Sequence, residues 1–273
     1  MNLDLTRVSS DLHAGRGHRC ERARASERAS SSGLRGRGTP SVYRRPVVLV
    51  IAHRGAPRQA RENTVESFRA AIEAGAGAIE LDVRRTADDA LVVHHDPVLA
   101  DGRPLAACRR DELPTHIPTM TVALDACVGT IVDVEIKNLP GEADFDPTDA
   151  IADAVVALLG ARREPREAWL ISSFRRETID RCRALDPSIA TAWLTIGAVT
   201  ADEVAWSVDA GHGAIHPWDP TVDQATIDRC HEAGLQVNTW TCNDVGRAVE
   251  LASWGIDGIC TDIPDVMVAA LTG

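Results

Sequence analysis

Acidic side chains recur near the ends of two apolar runs in the chain. Glu80 and Asp82 end the run AIELD, and Glu135 lies near the end of IVDVEI. Alternate residues of a strand face the same side, so Glu80 and Asp82 are expected to face together. Three carboxylates without thiolates favour one hard cation, Mg²⁺ or Ca²⁺, over zinc. The alternative is that these acids are strand-end charges paired with Arg54 and Lys137.

Two histidines follow other apolar runs of the sequence. His53 directly follows VVLVIA, and His95 directly follows LVVH. Imidazole titrates near neutral pH, so two of them beside a cation predict a general base and a general acid. His94 is expected to point away from Asp82 and to be structural.

Three further polar or aromatic residues are candidates for the same site. Lys137 is the only lysine in a chain with 28 arginines, and a compact ammonium suits a phosphate oxygen beside a metal. Asn63 is either a helix N-cap or a residue near the metal or phosphate. Trp240, between two threonines, is either core or the wall of a small polyol pocket.

Short apolar runs alternate with amphipathic helical stretches from residue 46 onward, which predicts an α/β fold with a parallel sheet. A TIM-type (β/α)8 barrel of roughly 250 residues fits this length as one domain, and its active site would lie where the strands end. The candidate strands are 47–52, 78–83, 91–94, 131–136, 168–172, 190–194, 213–216, 235–240 and 258–261.

One of these nine candidate strands is surplus to a barrel of eight. Seven residues separate Val83 from Leu91, whereas a parallel crossover needs about a dozen. The pair should therefore form an antiparallel hairpin. A turn centred on 87–90 would place Thr86 opposite Leu91 and Asp82 opposite His95.

Helical spacing of apolar residues predicts the elements between the strands. The first helix, 64–74, would begin with a capping box at Asn63 and end at Gly75. Segment 97–119 is the one long irregular connection, expected as an insertion over the active site. The other helices are expected at 120–127, 147–160, 176–185, 201–210, 222–233, 244–254 and 264–271.

Charge and composition restrict the classes of binding partner and the cellular location that we expect. Residues 1–45 carry a net charge of +6 and predict a disordered Arg/Ser/Gly-rich tail, which leaves −17 on residues 46–273. An acidic domain is a poor nucleic-acid binder. No run reaches the roughly 18 apolar residues of a membrane span, and residues 1–45 contain no secretory h-region. Seven scattered cysteines indicate a reducing compartment, hence the cytoplasm.

Short motifs in a fixed order resemble the glycerophosphodiester phosphodiesterases over residues 46–270. Each is weak alone, but their ordered combination is specific. They are HRG at 53–55, ENT at 62–64, ELDV at 80–83, HD at 95–96, EIK at 135–137, SSF at 172–174, NTWT at 238–241 and TDIPD at 261–265.

The resemblance implies roles for residues of this chain. Glu80, Asp82 and Glu135 would hold a divalent metal. His53 and His95 would be the acid/base pair. Arg54 and Lys137 would contact the phosphate, and Glu62 would steady Arg54 or the site.

The same resemblance implies a reaction, the metal-dependent hydrolysis of glycerophosphodiesters to sn-glycerol 3-phosphate and an alcohol. Residues 97–119 depart from the family's Thr-rich segment after the His-Asp pair, so substrate preference stays open. The alternatives are a related barrel phosphodiesterase acting on another phosphodiester or lysophospholipid, and a non-catalytic barrel that binds phosphorylated ligands.

Overall fold

Nine strands and eight α-helices follow one another along residues 48–272, the part of the chain that this computed structural model describes. The prediction of a disordered tail at 1–45 lies outside the described residues. The elements are β1 (Leu49–His53), α1 (Val65–Glu73), β2 (Ala78–Arg85), β3 (Leu91–Val93), α2 (Met120–Ala126), β4 (Ile131–Ile136), α3 (Ala150–Ala161), β5 (Trp169–Ser173), α4 (Arg176–Leu185), β6 (Ala190–Thr195), α5 (Ala201–Asp209), β7 (Ala214–Pro217), α6 (Gln224–Glu232), β8 (Gln236–Thr239), α7 (Val245–Ser253), β9 (Gly258–Thr261) and α8 (Pro264–Thr272).

Eight of the strands close into a parallel barrel. β1 pairs with both β9 and β2, and β2 continues directly to β4. β3 pairs only with β2, and it does so antiparallel. The predicted TIM-type barrel with one additional hairpin strand is therefore confirmed, and the short connection between β2 and β3 correctly identified the surplus strand.

Alternation along the strands separates the two cores of the barrel. In β2, Ile79, Leu81 and Val83 are fully buried with α1 residue Phe68 in one apolar cluster between strands and helices. The neighbouring positions of β2 lie on the inner face, where Ala78 packs with residues of β1 and β9. Glu80 and Asp82 have the same parity as Ala78, so the strand period directs them to the inner face.

The register of the hairpin differs from the prediction by one residue. Arg85 pairs with Leu91, so the residue opposite Asp82 is His94, whose N–H donates to the Asp82 carbonyl over 2.9 Å. The predicted pairs of Thr86 with Leu91 and of Asp82 with His95 are wrong. The cause is the turn: the Thr86 N–H donates to the Ala90 carbonyl over 3.0 Å, which leaves three residues inside the turn, and the last of them, Asp89, adopts a left-handed conformation with φ of 62°.

Two helix starts also differ from the prediction. α1 begins after Thr64, whose hydroxyl accepts a hydrogen bond from the Ser67 N–H, so the capping box at Asn63 is wrong. α3 begins at Ala150 rather than 147, because Asp149 adopts a left-handed conformation before it. Gly75, with φ of 87°, follows the end of α1 as predicted.

The long connection between β3 and α2 has a small core of its own. Leu99, Leu105, Leu113 and Ile117 pack there against Val92 of the hairpin. Two short 3₁₀ turns, Leu105–Ala107 and Arg110–Glu112, give this segment its regular structure. Within residues 48–272, no helix combines the length and apolar character needed to cross a membrane.

Candidate active site

The three predicted carboxylates meet at the mouth of the barrel. Glu80, Asp82 and Glu135 each offer an oxygen within 4.8 Å of the others, and all three are buried. Pairing of β2 with β4 sets Asp82 directly beside Glu135. Oxygen Oε1 of Glu80 has no hydrogen-bond partner, which is costly for a buried carboxylate unless a cation compensates.

Two cations lie against this acidic group. The Lys137 ammonium is 2.5 Å from Oε1 of Glu135 and 2.9 Å from Oδ1 of Asp82, and Nε of Arg54 is 3.1 Å from Oδ2 of Asp82. Burial opposes the charge of Asp82, yet Lys137 and Arg54 hold its pKa below the ordinary value. The alternative that these acids are paired strand-end charges therefore describes part of the site.

Of the three acids, Glu80 makes no ion pair with Lys137 or Arg54 within the described residues. Burial and the nearby charges of Asp82 and Glu135 raise the pKa of Glu80 well above its ordinary value. Burial also raises the pKa of Glu135. Ionised, the three side chains would be an all-oxygen donor set in which the buried Oε1 of Glu80 has no partner. That set fits a hard divalent cation, since its charge would offset the repulsion that disfavours ionisation.

His53, the last residue of β1, is held by a carboxylate that sequence reasoning did not assign. Its Nδ1 lies 2.6 Å from Oδ1 of Asp262, just beyond β9, and the Asn243 amide donates to the other Asp262 oxygen over 2.7 Å. Burial opposes the charge of Asp262, but its bond to His53 lowers the pKa. In a neutral imidazole, an ionised Asp262 favours the tautomer with the proton on Nδ1, which leaves the lone pair on Nε2.

His95 reaches the site from the hairpin and has its own carboxylate. Its Nδ1 lies 2.7 Å from Oδ1 of Asp96. Burial and the Lys137 ammonium lower the pKa of His95 to about 4, so this imidazole is neutral near pH 7. The side chain is near enough to Asp82 for that carboxylate to oppose the shift, although the register prediction that linked the two residues is wrong.

The segment between β1 and α1 brings three more candidate residues together. The Arg54 N–H donates to Oε2 of Glu80 over 3.0 Å, and its guanidinium donates to Oε1 of Glu62 over 3.0 Å. Asn63 donates from its amide to Oδ2 of Asp82 over 2.7 Å. Because Thr64 caps the helix, the Asn63 side chain is available for this bond.

A narrow cavity inside the barrel continues below the acidic group. Trp240 lines it with His53, Glu80 and Glu135, as expected for a pocket wall. Its indole N–H donates to the His216 carbonyl over 2.8 Å. The position agrees with the predicted pocket and leaves the contact with substrate a prediction.

Deeper in the cavity lies a polar group that sequence reasoning missed. Nδ1 of His216 is 3.4 Å from Oδ2 of Asp133, and its Nε2 is 3.0 Å from the Asn238 amide nitrogen. Burial raises the pKa of Asp133 to about 7 and lowers that of His216 to about 3. Strand parity was the available signal, since Asp133 lies two residues before Glu135.

This site geometry is accompanied by clear similarity to known proteins. The sequence model of the glycerophosphoryl diester phosphodiesterase family matches residues 53–266 of this chain, which include all the acidic and histidine residues above. The chain belongs to this family. It is a phosphoric diester hydrolase, as its family membership and its relatives show.

Relatives of this family are similar over nearly their whole length. A glycerophosphodiester phosphodiesterase from Caldanaerobacter subterraneus is 26% identical over 235 residues, covering 81% of this chain and 96% of its own. A solved Oleispira antarctica phosphodiesterase, in complex with the product sn-glycerol-3-phosphate, is 25% identical with a TM-score of 0.73 and covers 83% of this chain and 98% of its own. A Parabacteroides distasonis family member shares the fold at 24% identity, with a TM-score of 0.73 and 84% and 98% of the chains covered.

Proposed function

We propose that this chain hydrolyses glycerophosphodiesters to sn-glycerol 3-phosphate and an alcohol, in a reaction that depends on one divalent cation, Mg²⁺ or Ca²⁺. One observation carries the proposal. Two histidines, each bonded through Nδ1 to a carboxylate, reach the barrel mouth from different strands beside three buried carboxylates. A phosphodiester needs charge neutralisation, a base and an acid, and this group can supply all three.

The basic side chains serve the phosphate. Lys137 and Arg54 already contact Asp82, and we propose that both also turn their N–H groups to the non-bridging phosphate oxygens. Glu62 steadies Arg54 through their 3.0 Å bond, and Asn63 orients Asp82. Trp240 forms the wall against which the glycerol part packs.

Glu80, Asp82 and Glu135 would hold the cation. When bound, it would supply Lewis-acid stabilisation of the developing phosphoryl charge. The histidines then move the protons. One imidazole removes the proton from the attacking hydroxyl, of water or of the glycerol carbon next to the ester, and the other protonates the departing alkoxide. Attack by the glycerol hydroxyl gives a cyclic phosphate, which water then opens to glycerol 3-phosphate. Each imidazole must exchange its proton with the substrate through Nε2. The Nδ1 bonds to Asp262 and Asp96 leave Nε2 of both rings available for this.

We also propose a cellular location and a class of binding partner for this chain. The six cysteines of the described residues are free and buried, which supports the cytoplasm. The net charge of −17 on residues 46–273 opposes binding of nucleic acid, so the partner is a small glycerophosphodiester.

The test is release of glycerol 3-phosphate from glycerophosphocholine, with and without excess chelator. Activity that the chelator abolishes and added Mg²⁺ or Ca²⁺ restores is the expected result. Full activity in excess chelator would remove the metal dependence. A chain inactive on glycerophosphocholine, glycerophosphoethanolamine and glycerophosphoglycerol would lose the substrate assignment, and a lysophospholipid in the same panel tests the alternative substrate.

The acid/base roles need their own variants. His53→Ala and His95→Ala should each lower kcat by at least about 100-fold. His231→Ala is the matched control, because Nε2 of His231 is also bonded to an aspartate, Asp257, over 2.8 Å on the protein surface. A histidine variant of the site with a near-normal rate would end its proposed role.

A further inference from the structure

One arginine lies almost wholly buried beside the proposed site without belonging to it. Arg84 is the second-last residue of β2, two positions after Asp82, and its side chain is 1% exposed. Burying a guanidinium is costly unless its N–H groups find partners. The identity of those partners therefore indicates what the residue holds in place.

Arg84 joins two segments that the barrel itself does not connect. Its Nε donates to the carbonyl of His95 over 2.7 Å. Its Nη1 donates to Oδ2 of Asp144 over 2.6 Å and to Oε2 of Glu142 over 3.0 Å, both in the connection after β4. The planar guanidinium can direct these bonds to both sides at once, which a lysine ammonium cannot do in the same geometry.

The bond to His95 is significant because of where β3 ends. The strand stops at Val93 and the last cross-strand bond comes from the His94 N–H to the Asp82 carbonyl, so the β-ladder does not extend to His95. Among the bonds of the described residues, the one from Arg84 holds the His95 backbone from outside its own segment, and the ring is bonded to the adjacent Asp96. A catalytic imidazole displaced by about 1 Å can lose on the order of 100-fold in rate.

We infer that Arg84 is a positioning residue that fixes the backbone of His95, and through it the imidazole, for the proton transfer of the proposed reaction. The inference rests on the proposed role of His95. Arg84 does not touch the reacting atoms. It acts through a carbonyl, and its carboxylate partners Glu142 and Asp144 anchor the guanidinium from the opposite side.

The chain offers a matched control in the next residue. Arg85 lies in the same strand and donates to Asp146 of the same connection over 2.8 Å, and to Asp89 over 2.6 Å. It makes no bond to His95. Arg85→Gln therefore removes a link between the hairpin and the connection, whereas Arg84→Gln also removes the bond to His95.

Steady-state kinetics with glycerophosphocholine separates the two effects. Arg84→Gln should lower kcat by about 10- to 100-fold, with KM and the Mg²⁺ concentration for half-maximal rate nearly unchanged. Arg85→Gln should keep kcat within about twofold. Arg84→Lys should recover stability, since its charge still faces Glu142 and Asp144, but not kcat. An Arg84→Gln variant with normal kcat, or equal losses in both glutamine variants, would overturn the inference.

A readout without turnover distinguishes this inference from the proposed function. In protein labelled with ¹⁵N at histidine, the His95 ring signals are assigned by their loss in His95→Gln. They should shift in Arg84→Gln and stay in place in Arg85→Gln, whether or not the protein hydrolyses glycerophosphodiesters. Unchanged His95 signals in folded Arg84→Gln would overturn the positioning role.

Discussion

The positions of individual side chains in the site could be predicted from the sequence only where a strand fixed their direction. Glu80, Asp82 and Glu135 alternate with apolar residues along β2 and β4, and Lys137 directly after β4 keeps the same alternation, so the period of two placed them together. Asp262 lies past the end of β9, where that period no longer applies. It was visible only as part of the motif TDIPD.

Asn63 was ambiguous for a related reason. It and Thr64 are both good helix N-caps, and local sequence does not decide between them. The structure gives the cap to Thr64 and directs the Asn63 amide to Asp82. A tertiary contact, which no local pattern encodes, selects between the two.

The pairing of His53 with Asp262 leads to a prediction at this scale. Asp262→Asn should lower kcat by about 10- to 100-fold, because an amide neither stabilises a charged imidazole nor favours the tautomer with a free Nε2. The measurement is kcat on glycerophosphocholine as a function of pH.

Asp257→Asn is the control for this substitution, since it changes the same chemistry at the surface histidine His231 and should retain kcat. If Asp262→Asn kept the wild-type rate across the pH range, Asp262 would have no part in orienting His53.

Elements were predictable in type and order but less so at their ends. The seven residues between Val83 and Leu91 excluded a parallel crossover, so the hairpin was certain from length alone. Its register depended on the turn, where a left-handed Asp89 shortened the loop by one residue. Such a conformation is open to aspartate without being required of it, so the sequence left the register undecided.

The turn from β1 to α1 gives a prediction at the scale of elements. Gly55 has φ of 89°, and a Cβ there would lie 2.6 Å from the carbonyl carbon of Ser67 in α1. Gly55→Ala should therefore destabilise the fold by about 2–5 kcal/mol, the sum of left-handed strain and a backbone clash. It should also displace Arg54, whose carbonyl accepts from the Ser67 hydroxyl over 3.0 Å.

Gly102 separates these two contributions. Its φ is 88°, but a Cβ would meet nothing within 4 Å, so Gly102→Ala should show only the conformational strain of about 1–2 kcal/mol. Urea denaturation of both variants measures the difference. Equal destabilisation would mean that the close approach of Gly55 to α1 has no energetic role.

At the scale of the whole molecule, the two ends of the barrel carry different groups of polar residues. The site lies where the strands end, and at the opposite end His212 precedes β7 and is buried. Its Nδ1 is 2.8 Å from the Thr191 hydroxyl and its Nε2 is 3.1 Å from Asp180. Burial lowers the pKa of His212, with Asp180 opposing the shift and Arg183 adding to it.

This lowered pKa predicts how stability depends on pH. The folded state binds the His212 proton less tightly than the unfolded state, whose pKa is about 6.5. Above pH 6.5 His212 therefore does not lower the free energy of unfolding. Below it, the free energy of unfolding decreases as the pH falls toward the folded-state pKa. His212→Gln should lose less unfolding free energy than the wild type between pH 7.5 and 5.5. Parallel losses in the two proteins, measured with urea, would contradict this.

Metal binding, as proposed, extends from the site to the stability of the whole chain. Three buried carboxylates that repel one another weaken the metal-free fold, so a cation that binds only the folded state should stabilise it by mass action. At about 100 times its Kd the gain is about 2.7 kcal/mol, which corresponds to a Tm rise of roughly 5–10 °C for a domain of this size. Glu80→Gln should keep or raise the metal-free Tm, because it removes one of the repelling carboxylates, and it should lose the metal-induced rise, because the unpartnered Oε1 is gone.

Asp153→Asn is the control for Glu80→Gln. Asp153 is an exposed acid paired with Arg181, so this variant should keep the full metal-induced rise in Tm. An equal metal-induced shift in Glu80→Gln and the wild type, followed by calorimetry, would exclude Glu80 as a ligand.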